Sequence, residues 1–180
     1  MSWHAYVFPC PWEDHCKIGF SRDPLARIQQ FHPRWFECFD LDGGALVDAD
    51  RERDARDIEL RLREPLGEHR APMPLTINDA AGGFTEWVRG AQQLLDTTLG
   101  ALQDEGYIIH APLNTWMRAR FLERCDCLHD WGEAMLPEDD NLHGFSLPQL
   151  TALRNQIDAC RALGIEPARW FSERVMEWAG

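Results

Sequence analysis

Prolines at positions 9, 11, 24 and 33 break the opening of the chain into pieces too short for any long helix. Each proline fixes its own φ, lacks a backbone N–H and pushes the preceding residue out of the helical region. Between these breaks, residues 4–8 (His-Ala-Tyr-Val-Phe) read as a strand and residues 16–20 (Cys-Lys-Ile-Gly-Phe) as a second. Their compact, proline-containing connection predicts an antiparallel hairpin. Asp23 then stands as a helix N-cap, with Pro24 at the first helical position, where a missing N–H has no partner to lose. Leu25, Ile28 and Phe31 supply the apolar stripe of a short helix that ends before Pro33. Residues 35–41 alternate Trp35, Glu37, Phe39 and Leu41 against Phe36, Cys38 and Asp40, which predicts a third strand closed by Asp42-Gly43-Gly44.

Further along, Ala55, Ile58, Leu62 and Leu66 recur at helical spacing, so a helix is expected over about residues 48–66, with Arg, Asp and Glu on its outer faces. A loop through Pro72 and Pro74 follows, and Thr85 is expected to cap a helix carrying Trp87, Val88, Leu94, Leu95, Leu99 and Leu102. From residue 105 onward the pattern is helical, with one segment over 115–124 and an acidic loop over 137–141. Ser146-Leu-Pro148-Gln149 has the form of a capping box opening a helix that runs to about Leu163 and stops at Gly164. Pro167 opens a last helix, where Trp170, Val175 and Trp178 offer packing surface. The expected class is α+β: a small three-stranded antiparallel sheet flanked by helices over residues 1–104, then an all-helical region over 105–180.

A chain of 180 residues suits one domain, or one with a smaller appendage. With 44% hydrophobic residues, eight tryptophans and nine phenylalanines, wholesale disorder is excluded. The apolar runs fall far short of the roughly 20 residues that span a bilayer. The N-terminus has neither a basic flank nor an apolar signal core, so a cytoplasmic protein without a membrane partner is expected. The six cysteines are scattered and read as reduced thiols. Cys125, Cys127 and His129 are the one group with metal character, but the C-x-C spacing is poor for zinc and no second ligand pair follows at the usual interval. Net charge is −12, divided evenly at −6 in residues 1–100 and −6 in 101–180, so neither part is a general basic clamp for nucleic acid. Lys17 is the one lysine among 18 basic residues.

Its place makes it notable, because a lysine in a short apolar strand is costly to bury unless its head reaches water or an anion. Tyr6 lies mid-strand on the other arm of the hairpin, and period-two alternation allows the two side chains to share a face. Arg27 is on the helix that follows, and Glu59 borders the buried stripe of the long helix. A phenol, an ammonium, a guanidinium and a carboxylate on one surface suit phosphodiester hydrolysis. The carboxylate can hold a divalent cation that polarises phosphate, the guanidinium can clamp phosphate oxygens, and the phenol can take a proton from the attacking water.

In order and spacing, Tyr6-Val7, Lys17-Ile18-Gly19 and the run from Phe20 to Arg27 resemble the GIY-YIG nuclease superfamily, whose helix arginine lies eight residues after the motif glycine. Residues 55–63 resemble the helix that carries that family's metal-binding glutamate, and Gly83-Phe84-Thr85-Glu86-Trp87 resembles a glycine–glutamate–tryptophan run of its phage and bacterial branch. The resemblance spans roughly residues 3–103. It implies a DNA endonuclease dependent on Mg²⁺ or Mn²⁺, with Tyr6 as base, Lys17 as its helper in place of the second motif tyrosine, Arg27 as phosphate clamp and Glu59 as metal ligand. Ser21, Arg63 and His69 are assigned to substrate binding, with His69 or His32 standing in for a supporting histidine. His4-Ala5 replaces the motif Gly-Ile, a packing change. Glu86 is expected to be structural, a first-turn carboxylate answering a helix dipole. The helical region would serve oligomerisation, targeting or regulation. The alternative is a nuclease-like module of weak or no activity that binds a protein partner through its acidic surface.

Overall fold

A computed structural model describes residues 2–12, 14–137 and 146–179. The chain divides into two compact units, Met1–Trp116 and Met117–Gly180.

The first unit is α+β, built on an antiparallel sheet of five strands in the order β4-β2-β1-β3-β5. These are β1 (Trp3–Pro9), β2 (His15–Ser21), β3 (Ala45–Ala49), β4 (Trp87–Arg89) and β5 (Ile109–His110). The hairpin forms as the prolines suggest, with Tyr6 opposite Gly19 and Phe8 opposite Lys17. Asp23 caps α1 (Pro24–Phe31) by accepting a hydrogen bond from the Ala26 N–H, with Pro24 in the first turn. The long helix α3 spans Glu52–Arg63, shorter at both ends than expected, and continues as a 3-10 segment, Glu64–His69.

Three expectations are corrected. The third strand is Ala45–Ala49 and not residues 35–41, which instead form the single helical turn α2 (Trp35–Cys38). Trp35 and Cys38 are both buried, and a spacing of three places them on one side of a helical turn, which a reading by alternation misses. Trp87 and Val88 belong to β4 and not to a helix; the helix after them, α4, begins at Gln92 and ends at Asp104. The sheet has five strands instead of three because β4 and β5, of three and two residues, join its two edges. Since β5 pairs with β3, the first unit reaches to residue 116, past the expected boundary at 104.

The two faces of this sheet are unlike. Ala5, Val7, Ile18 and Val47 point to one face and pack with Ala55, Ile58 and Leu62 of α3 and with Leu95 and Leu102 of α4 in an apolar core. Tyr6, Phe8 and Lys17 point to the other, where the Tyr6 and Phe8 rings stack at 4.2 Å and Phe31, Phe39 and Trp87 close around them.

The second unit contains α6 (Asp126–Met135), α7 (Leu147–Ala162) and α8 (Glu173–Ala179), and the division between units falls within α5 (Leu113–Leu122). The capping box of α7 forms as expected, with Ser146 and Gln149 each satisfying the other's backbone N–H. Its core includes Leu153, Ile157, Cys160 and Val175, all 0% exposed. Most of the expected acidic loop lies outside the described residues. Among the described residues, no helix is long and apolar enough to cross a membrane.

Candidate active site

Gly19 explains how the site begins. The Tyr6 ring lies across it so closely that a Cβ there would sit 2.4 Å from the phenol oxygen, so only glycine lets the phenol occupy this place. Arg27, one turn into α1, reaches back over the same surface and its Nε donates to the Tyr6 hydroxyl at 3.4 Å. Its guanidinium also lies over the Phe31 ring, 4.5 Å from the centroid, which limits the side chain's freedom. Burial pushes the Tyr6 phenol up to about 12, against the opposing pull of Arg27, and the charges of Glu86 and Glu59 add to the upward shift. Tyr6 is therefore a neutral phenol at physiological pH.

Among the described residues, Lys17 is the most enclosed charge, at 0% exposure. Its Nζ donates to the Gly83 carbonyl at 2.6 Å and to Glu86 Oε2 at 2.6 Å, and lies 5.6 Å from the Trp87 ring centroid and 5.8 Å from that of Phe31. Burial lowers its pKa, while Glu86 works against the shift. The Glu86 side chain retains 32% exposure, so one partner of this pair stays in touch with water. Glu86 is thus a partner of Lys17 and not the first-turn carboxylate expected, since no helix starts beside it.

Glu59 is 5% exposed on the inner side of α3. Arg63, one turn later, donates to Glu59 Oε1 at 2.8 Å and, through Nη2, to the Thr85 carbonyl at 3.3 Å. Arg27, Lys17 and Arg63 each donate to a carbonyl between residues 81 and 85, and Tyr6, Glu86 and Glu59 join through their bonds to Arg27, Lys17 and Arg63 in turn. Glu86 could be found in the sequence only through the run it shares with Gly83 and Trp87, where its charge had no visible partner.

Ser21 and His69 do not join the cluster through any bond seen here. The Ser21 hydroxyl accepts from the Asp23 N–H at 3.0 Å and so shapes the entry to α1. His69 Nδ1 lies 2.9 Å from the Arg89 carbonyl, tying the 3-10 segment to β4. His32 Nδ1 accepts from the Arg34 N–H at 3.0 Å. His4 is more than a packing change: Asp48 Oδ1 accepts from its Nδ1 at 2.8 Å and from His110 Nε2 at 2.9 Å, which couples β1, β3 and β5 through one carboxylate.

Among the described residues, no group of three or more His, Cys, Asp or Glu side chains is arranged to hold a metal. In the second unit Cys125 is buried while Cys127 is exposed, so the two thiols face different surroundings. A Mg²⁺ site does not need such a group, because that ion keeps several waters and is commonly held by one or two carboxylates together with substrate phosphates. Glu59 meets this requirement: Arg63 engages Oε1, and no described residue hydrogen-bonds Oε2.

No protein-family model, curated protein or solved structure matches this chain.

Proposed function

We propose that the first unit is a divalent-metal-dependent DNA endonuclease of the GIY-YIG type, hydrolysing phosphodiester bonds. One observation carries the reading: Arg27 meets the Tyr6 hydroxyl at 3.4 Å, and Arg27, Lys17 and Arg63, the last bonded to Glu59 at 2.8 Å, all donate to the backbone of residues 81–85. A phenol and an ammonium on the sheet, a guanidinium on α1 and one inward carboxylate on α3 make a site for a phosphodiester anion.

In this reading Arg27 clamps phosphate oxygens and stabilises the charge that gathers on them in the pentacovalent state. Tyr6 hydrogen-bonds the attacking water and, in its phenolate form, takes its proton. With a pKa of about 12, only about one phenol in 10⁵ is ionised at pH 7, so the rate should climb with pH. Lys17 helps by orienting the water or binding phosphate, and Arg63 holds Glu59 in place. Mg²⁺ or Mn²⁺, held by Glu59, would polarise the phosphate and assist the leaving oxygen.

Incubating the purified protein with Mn²⁺ and supercoiled, linear and branched DNA tests the proposal. Cleavage that Glu59→Gln reduces by about 10² or more supports it. An absence of cleavage on every substrate, or equal cleavage by the variant, overturns it.

A second reading has one observation in its favour. A cleft of about 430 Å³ is lined by Asp48, Asp50, Asp54 and Asp57 together with Arg61, an acidic surface that would suit a basic protein partner better than DNA. A Mn²⁺ titration separates the two readings. A rise in Tm lost in Glu59→Gln favours the nuclease, because a ligand selective for the folded state stabilises it, and a flat response favours the binding module.

A further inference from the structure

The three basic side chains of the site share a single stretch of backbone. Arg27 Nη1 donates to the Ala81 carbonyl at 2.7 Å, Lys17 Nζ to the Gly83 carbonyl at 2.6 Å, and Arg63 Nη2 to the Thr85 carbonyl at 3.3 Å. Glu86 then sets its carboxylate on Lys17 at 2.6 Å. The donors come from α1, β2 and α3, whereas the acceptors are alternate residues of one short segment followed by one anion. Several oxygens bearing a single negative charge are also what a phosphodiester presents to basic side chains.

We propose that residues 81–86 form an autoinhibitory strap, occupying the phosphate-binding position with their own oxygens until substrate displaces them. The inference rests on the phosphodiesterase reading and concerns the regulation of that same site. With Lys17 at 0% exposure, no external anion touches its ammonium while the strap is down. Both ends of the strap are anchored: the Ala81 N–H donates to the Asn78 carbonyl at 2.9 Å, and the Glu86 carbonyl accepts from the Ile18 N–H at 3.1 Å.

The bend between these anchors falls at Gly82 and Gly83, with φ of +66° and +75°, a region that favours glycine. A Cβ on Gly83 would lie 2.5 Å from Lys17 Nζ and 2.9 Å from Glu86 Oε2, so the strap closes this tightly only because that residue is glycine. Displacement exchanges one anion for another on Lys17, and the Glu86 carboxylate, already 32% exposed, returns to water when it leaves.

The probe is inorganic pyrophosphate, titrated calorimetrically without metal into the wild-type chain, Glu86→Gln and Gly83→Ala. Both variants should bind about tenfold more tightly, because a protein whose competent state is rare pays for opening in affinity. Gly83→Ala alters no charge, so it carries the test even if loss of the Glu86 carboxylate impairs folding. Pyrophosphate should also speed chymotrypsin cleavage after Phe84 in the wild-type protein, since a displaced strap offers that bond to the protease. Equal binding by all three proteins, or protection of the Phe84 bond, overturns the strap. Tighter binding by the variants with no cleavage of DNA by any of them would overturn the nuclease reading and leave the strap standing.

Discussion

The two units bury different chemistry. Among the described residues the buried polar or charged side chains are His4, Lys17 and Glu59, all in the first unit. The second unit buries Leu153, Ile157, Phe171 and Val175 with two thiols, Cys125 and Cys160, and burial pushes Cys160 up to about 12, which keeps it an inert thiol. The contrast repeats within the first unit, where one face of the sheet is an apolar core against α3 and α4 and the other encloses a phenol and an ammonium. Enclosing a charge costs several kcal/mol unless a partner answers it, whereas apolar packing alone would hold such a sheet together. Glu86 and the Gly83 carbonyl answer Lys17, and Arg63 answers Glu59. The buried charge thus marks where the first unit departs from simple packing.

The sharpest way to break this contrast is to mutate one side chain from each unit. On the proposed nuclease reading, Arg27→Ala should lower the DNA cleavage rate by about 10³, the loss expected when a group stabilising transition-state charge is removed. Ile157→Ala should leave that rate unchanged per folded molecule while removing ~2–5 kcal/mol of unfolding free energy in urea. If Ile157→Ala lowered the rate as deeply as Arg27→Ala, the division into a chemical and a packing unit would fail.

The titration of Tyr6 sharpens it further. If Tyr6 is the base, cleavage should rise about tenfold per pH unit between about pH 6 and 9, and a plateau below about pH 8 would assign the proton to another group. Its folded pKa of about 12 lies above the unfolded value near 10, so the native state keeps the proton longer. Stability from this group is fully present below about pH 10 and declines as pH rises towards 12, by about 1.4 kcal/mol per pH unit. Guanidinium unfolding between about pH 10 and 12 should show this slope in the wild type and a flatter one in Tyr6→Phe. The smallest effect belongs to the second unit: Ser146→Ala removes the α7 cap and should cost ~1 kcal/mol of stability, read by the same unfolding experiment.

Legibility followed the range of the interaction. The caps at Asp23 and Ser146 are written within four residues and form as read. The hairpin and α3 follow from local alternation and helical spacing. Strands β4 and β5 have no period of their own at such lengths and exist because a partner strand accepts their hydrogen bonds. Residues 35–41 failed for a related reason: Trp35 and Cys38 fit a helical turn, but one turn is too short to outweigh an apparent alternation. At the site, Tyr6, Lys17, Arg27 and Glu59 could each be nominated for its chemistry, whereas the pairing of Glu86 with Lys17, 69 residues apart, could not.

The sequence alone determined the N-terminal hairpin, α1 and the helix caps, because steric limits and near-neighbour hydrogen bonds act within a turn or two of chain. Tertiary structure decided which strands complete the sheet and which oxygens meet the three basic side chains. Those contacts form only when chain closure brings distant segments together, and desolvation then sets which charges must pair.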